Sequence, residues 1–192
     1  MSQKIGLFFG SFNPIHIGHM VIANWFVEYT DLDKVWFVVS PQNPFKEKKS
    51  LLADHHRLAL VRAAVDDDPR FWVTDIEFKM PKPSYTIDTL TYLVEKYPEK
   101  EFVIIAGGDQ LPTFDKWKNP DVILELYKMY VYARPGFEGG EFAAHPSVQI
   151  FQTPQMDISS TFIRKSIAQG KDMRYMLPNK VWEYIQEMHF YE

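Results

Sequence analysis

Cysteine is absent from the 192 residues. That removes disulfides, thiolate zinc sites and cysteine nucleophiles together. No apolar run approaches the ~18 residues that a membrane-spanning helix needs. No basic segment stands ahead of a long apolar stretch to mark a signal peptide. Positive charge is not in surplus either. The formal net charge is −4, so bulk charge gives no support to nucleic-acid binding. An anionic ligand must then be met by a local cluster of positive groups. Internal repeats, low-complexity tracts and linkers are missing as well. These absences predict a single domain over 1–192, cytoplasmic, with no nucleic-acid or membrane partner, and they leave a homo-oligomer open.

Aromatic residues are plentiful, with 15 Phe, 10 Tyr and 5 Trp. They supply bulk for a core and flat surfaces for stacking on a planar ligand. Short apolar runs read as buried strands: KIGLFFG (Lys4 to Gly10), KVWFVVS (Lys34 to Ser40), FWVTDIEF (71–78), EFVIIAGGDQ (101–110), MYVYARPG (129–136) and VQIFQ (148–152). Between them lie stretches that read as helices: His16 to Tyr29, Asp54 to Val65 with Asp54 as N-cap, SYTIDTLTYLVEKY (84–97), SSTFIRKSIAQG (159–170) and NKVWEYIQEMHF (179–190). The segments PQNPFKEKKSL and GFEGGEFAAHP read as loops. Strands alternate with helices, and the early strands are almost continuously apolar. The expectation is an α/β fold, a Rossmann-like parallel sheet with helices on both faces. Ligands of such sheets gather at the carboxyl ends of the strands. His16, Lys46, Asp109 and Arg134 all follow strands.

Within GSFNPIHIGH, His16 and His19 sit three residues apart. They can be surface or capping groups at a helix start. They can also share a helix face as ligands of one metal ion, but no HExxH pattern or cysteine supplies further zinc ligands. A third reading uses the turn before them. Gly10, Ser11, Phe12, Asn13 and Pro14 join a strand to a helix. Backbone N–H groups at a helix start attract anions, glycine lets a phosphate approach, and imidazoles add donors. The stretch makes best sense as a phosphate site.

GSFNPIHIGH also resembles the signature of the HxGH nucleotidyltransferase superfamily. PSYTIDTL, GGDQLPTFDKWK, YVYARPG and ISSTFIRKSI follow in order. Together the five segments resemble the bacterial nicotinate-nucleotide adenylyltransferases over nearly the whole chain. The family commonly has glycine where Phe9 stands, threonine at Ser11 and histidine at Phe45. Ser11 keeps the hydroxyl, whereas the imidazole at Phe45 is lost and its role does not carry over.

The resemblance implies transfer of the adenylyl group of ATP to nicotinate mononucleotide, giving nicotinate adenine dinucleotide and pyrophosphate. It implies that His19 bonds the α-phosphate, with His16 on the triphosphate beside it, and that Lys46 draws the phosphates together. Arg164 with Ser159, Ser160 and Thr161 would hold the adenosine side and the β- and γ-phosphates. Gly10, Ser11 and Phe12 would line the ATP turn, Ser11 and Lys46 also serving the acceptor. Gly107 would line the ATP site, and Asp109 beside it would meet a ribose, though Asp109 can equally cap a helix. Trp117 would stack on the nicotinate ring. Tyr85 and Thr86 would bind its carboxylate, partly through backbone N–H groups, and Arg134 would meet the acceptor's phosphate. Mg²⁺ is expected with ATP, held by the triphosphate and water. Bland alternatives are a solvated charge at Lys46, a surface arginine at Arg134 and a core tryptophan at Trp117. Rival functions are another HxGH adenylyltransferase such as phosphopantetheine adenylyltransferase, a nucleotide-binding module without catalysis, and a metallohydrolase on His16 and His19.

Overall fold

The computed structural model describes residues 2–41, 51–134, 136 and 139–192. Lys46 and Phe45 lie outside the described residues. The strands are β1 (Gln3–Gly10), β2 (Lys34–Val39), β3 (Phe71–Thr74), β4 (Lys100–Gly107), β5 (Lys128–Tyr132) and β6 (Val148–Phe151). The helices are α1 (Ile17–Tyr29), α2 (Asp54–Val65), α3 (Thr86–Lys96), α4 (Pro120–Leu126), α5 (Ser160–Ile167) and α6 (Asn179–Glu187). All neighbouring strands are parallel, in the order β3-β2-β1-β4-β5-β6.

Strand alternation sends side chains to two separate cores. Phe8, Phe37, Val103, Ile105 and Tyr130 pack against α1, α2, α5 and α6. Ile5, Leu7, Trp36, Ile104 and Met129 pack against α3 and α4 on the opposite face. Helices thus cover both faces, as the apolar strands predict. Such a strand order reverses direction between β1 and β4, and a crevice opens there at the carboxyl ends. Gly10 and Gly107 end those two strands.

Several boundaries differ from the sequence expectation. The third strand stops at Thr74, whose Oγ1 accepts the Ile76 N–H at 3.2 Å. Ile76–Lys79 then coils into a 3₁₀ turn. Strand alternation fails there because Ile76 and Glu77 are both buried. Asp54 is not the cap of α2; that place belongs to Ala53, and the Asp54 carboxylate turns to Arg57 and Lys82 instead. Nor does Asp109 cap a helix: Gly107 does, and Gly108–Lys116 winds as a 3₁₀ helix that includes Asp109. The loop 136–146 contains a short 3₁₀ turn at Glu141–Ala144. Helix α4 has no counterpart in the sequence reading. It starts with Pro120 at its first turn after Asn119 in the left-handed region, an arrangement in which proline's missing N–H costs nothing.

Candidate active site

The turn after β1 is built around packed rings. Phe12 takes a left-handed φ of 45°. Its ring packs edge-on to Phe8 at 5.9 Å and against Phe37 at 5.6 Å. A Cβ on Gly10 would meet that ring at 2.8 Å. Glycine at position 10 therefore makes room for Phe12 as well as for any ligand. Phe12 itself is only 2% exposed, so its ring belongs to the core and not to a stacking surface for a nucleotide.

Beyond the Asn13–Pro14 bond, which is cis, the turn delivers both histidines to the start of α1. Their rings lie against each other, centres 3.8 Å apart and planes tilted by 33°. His16 is 5% exposed. Burial, with the charge of Arg134 adding to it, pulls its imidazole down to about 4. It is therefore neutral at physiological pH. Among the described residues its Nδ1 has no hydrogen-bond partner. His19 is half-buried, and its Nδ1 accepts the backbone N–H of His16 at 3.2 Å. With Nδ1 as acceptor, the proton of the neutral ring sits on Nε2. His19 thus has one donor direction fixed by the fold.

Arg164, in α5, reaches the same turn. Its Nη1 donates to the Asn13 carbonyl at 2.8 Å. Ser160 donates to the Pro14 carbonyl at 2.8 Å. Ser159 caps α5 by accepting the Phe162 N–H at 3.1 Å, and Thr161 Oγ1 lies 3.4 Å from the Arg164 Nη2. The segment ISSTFIR and the segment NPIHIGH, far apart in sequence, form one cluster.

At the ends of β4 and β5, Asp109 and Arg134 face each other at 3.2 Å. Arg134 also donates to the Tyr132 hydroxyl at 3.1 Å. A Cβ on Gly107 would collide with the Asp109 carboxylate, so the missing side chain there lets Asp109 fold back. The two residues expected on different substrates are partners of one another.

The remaining expected residues gather at α3. Tyr85 precedes the helix and makes no side-chain cap bond, which leaves the first-turn N–H groups beginning with Thr86 without that partner. Lys118 sits 5.0 Å from the Tyr85 ring centre and pairs with Asp88 at 2.8 Å. Its neighbour Trp117 is half-buried against Phe114 at 5.1 Å. Trp117 is thereby tied to the Tyr85 end of α3, and it is not deep core.

The chain as a whole has matches among known proteins. A family model described as cytidylyltransferase-like covers residues 7–166, from β1 through most of α5. A protein of Cytophaga hutchinsonii, named probable nicotinate-nucleotide adenylyltransferase, is 50% identical over 189 residues, with 98% of each chain covered. One of the same name from Flavobacterium johnsoniae is 50% identical over 192 residues, covering 99% of this chain and all of the other. The chain belongs to the nicotinate-nucleotide adenylyltransferase family. The Plasmodium falciparum nicotinic acid mononucleotide adenylyltransferase complexed with NaAD has the same fold, with a TM-score of 0.81 at 20% identity over 98% of this chain and 97% of that one.

For a member of this nicotinate-nucleotide adenylyltransferase family, the most consequential residues outside the sequence motifs are Arg57 and Tyr191, which both brace the motif turn that carries Asn13. Arg57 is fully buried. Its Nε donates to the Leu52 carbonyl, Nη1 to those of Ser11 and Ser40, and Nη2 to the Pro41 carbonyl and the Asp54 carboxylate. All five donors of a guanidinium are used. Asn13 Oδ1 accepts from the Leu52 N–H and the Tyr191 hydroxyl. One signal was available: Arg57 occupies an apolar position beside Leu60 and Val61 in α2. Nothing local marks Tyr191, which lies 178 positions from its partner.

Divalent metal with ATP is general among such nucleotidyltransferases. Among the described residues no group of three His, Asp or Glu side chains is placed to hold an ion. The carboxylate at the strand ends, Asp109, is engaged by Arg134.

Proposed function

We propose that this chain transfers the adenylyl group of ATP to nicotinate mononucleotide, releasing pyrophosphate. A phosphate oxygen of the acceptor attacks the α-phosphorus. The new P–O bond forms as the bond to the β-phosphate's bridging oxygen breaks, and pyrophosphate carries the electron pair away. A phosphate monoester has a second pKa near ~6, so it needs little help from a general base. Bringing two anions together and stabilising the charge that builds on the phosphoryl oxygens are the larger tasks.

One observation carries the reading: His19, Arg164 and the start of α1 converge on a single turn at the β1–β4 crevice. His19 donates a hydrogen bond from its Nε2–H to an α-phosphate oxygen. Arg164 and the capped start of α5 serve the β- and γ-phosphates. His16, neutral and largely buried, packs its ring against that of His19 and contacts the triphosphate beside it. Lys46 draws the phosphates together from its segment, and Mg²⁺ arrives on the triphosphate rather than in a protein cage. On the acceptor side, Trp117 stacks on the pyridine ring and the N–H groups at Tyr85 and Thr86 take its carboxylate. Those donors satisfy both oxygens of a carboxylate. An amide turns NH₂ toward one of them and leaves a buried donor unpaired, which costs about 1–3 kcal/mol.

The test is an acceptor panel of nicotinate mononucleotide, nicotinamide mononucleotide and phosphopantetheine, each with ATP and Mg²⁺, followed by pyrophosphate release. Turnover with nicotinate mononucleotide, and at least tenfold less kcat/KM with the amide, is expected. Turnover with phosphopantetheine alone, or ATP binding without pyrophosphate release, overturns the assignment.

A further inference from the structure

Glu77 is a buried acid that the proposed reaction does not use. It is 3% exposed, and among the described residues no ion pair reaches it. Its carboxylate instead accepts two hydroxyls: Ser84 Oγ at 2.9 Å on Oε2 and Thr89 Oγ1 at 2.8 Å on Oε1. A carboxylate buried without a cation is expensive, and an apolar side chain of similar size fills such a space at lower cost. The charge needs a reason beyond packing.

The two partners supply one. Ser84 stands immediately before Tyr85, and Thr89 stands one turn into α3, where its N–H also bonds the Tyr85 carbonyl at 3.1 Å. The carboxylate therefore bridges the segment across Tyr85 and Thr86. Glu77 is itself fixed, because its neighbour Ile76 is buried in the same core as Ile87 and Leu90 of α3. Hydrogen bonds to a charged acceptor are shorter and stronger than neutral ones, so the Thr89 hydroxyl, which also has the Tyr85 carbonyl at 3.3 Å, favours the carboxylate at 2.8 Å.

We infer that Glu77 is a positioning residue for acceptor recognition. It staples Ser84 to Thr89 and so fixes the backbone N–H groups at Tyr85 and Thr86 against which the acceptor's carboxylate is read. The inference rests on the acceptor pocket proposed above. It assigns the selectivity for acid over amide partly to a side chain that touches neither.

The test compares Glu77→Leu, Ser84→Ala and Thr86→Pro with the wild type. Thr86 is the first residue of α3 and Tyr85 before it is extended, at φ −120° and ψ 143°. Proline is tolerated at such a position and deletes the N–H in question. Thr86→Ala controls for the lost hydroxyl. For Glu77→Leu, kcat/KM for nicotinate mononucleotide falls roughly tenfold relative to the amide acceptor, the scale of one charged hydrogen bond. The ATP KM stays within twofold and the melting temperature does not track the loss. Ser84→Ala, which breaks one half of the staple at a half-exposed site, gives a smaller fall of the same kind and stands alone if Glu77→Leu does not fold. A melting shift with an unchanged acid-to-amide ratio in both variants overturns the inference. If Thr86→Pro abolishes the preference while those two leave it intact, the pocket stands and the role of Glu77 falls. If Thr86→Pro keeps the full preference, the pocket and the inference fall together.

Discussion

Replacing Arg57 by methionine tests the claim that one guanidinium knots the active-site turn to the ends of its neighbouring segments. Methionine fills most of the volume but removes all five donors. The Pro41 carbonyl is buried and cannot rehydrate, whereas the carbonyls of Ser11, Ser40 and Leu52 are half-buried and can in part. Asp54, about one-third exposed, keeps Lys82 at 3.2 Å. An unsatisfied buried acceptor costs about 1–3 kcal/mol, and breaking a buried charge pair costs about 3–5 kcal/mol. With water recovering the half-buried carbonyls, and Asp54 partly exposed and still paired with Lys82 so that the ion pair counts at its lower end of about 3 kcal/mol, the net loss is about 4–6 kcal/mol out of the roughly 5–15 kcal/mol that holds a domain folded. Arg57→Lys keeps the charge but has three donors and no planar fork, so it recovers about half. Urea unfolding of the three proteins reads these differences as shifts in midpoint at constant slope. The ATP KM, measured in buffer where each remains folded, should rise in the same order. A methionine variant within about 1 kcal/mol of wild type, with an unchanged ATP KM, refutes the reasoning, since loss of the five bonds and the ion pair could not then be costly.

His16 makes stability pH-dependent. Its folded value of about 4 lies below the unfolded value near ~6.5, so the unfolded chain binds more protons in that window. Stability is complete above pH ~6.5 and is lost as pH falls toward 4, by about 3 kcal/mol; His16→Asn should flatten this part of a denaturation-versus-pH curve, and an unchanged slope counts against a buried neutral ring. His19→Ala should lower kcat by roughly 10²–10³ while ATP affinity, measured by calorimetry, changes little; wild-type turnover in a folded variant ends that assignment. Arg164→Ala should weaken ATP more than the acceptor. Because Arg164 also holds the Asn13 carbonyl, kcat should fall with it, and a selective loss of acceptor affinity would put the residue on the wrong substrate.

The fold was largely legible because apolar strands alternate with helices whose faces repeat at helical spacing, and two-sided burial leaves few other arrangements. The site was legible where chemistry is local. The pair His16 and His19 and the cap Ser159 can be found by reading neighbours. What stayed hidden depends on distant partners. Arg57 looks like a surface charge on α2 until Ser11, Ser40 and Leu52 converge on it. Glu77 sits in a run that alternates like a strand, and only its bonds to Ser84 and Thr89 show that the strand has ended. The pairing of Asp109 with Arg134 requires β4 and β5 to lie side by side, a fact of topology rather than of either motif.

The central position of β1 has a consequence for how the protein is made. It is synthesised before both of its sheet neighbours, for it is paired on one side by β2 and on the other by β4, which ends at Gly107. At ribosomal speeds of about 5–20 residues per second, the β4 side of β1 waits about 5–20 s for its partner. During that interval Ile5, Leu7 and Phe8, buried in the finished sheet, border an open edge with unpaired backbone groups, the kind of surface that recruits strands from other chains. Contacts made only in the finished sheet cannot protect this edge during those seconds, so added stability of the folded protein does not shorten its exposure.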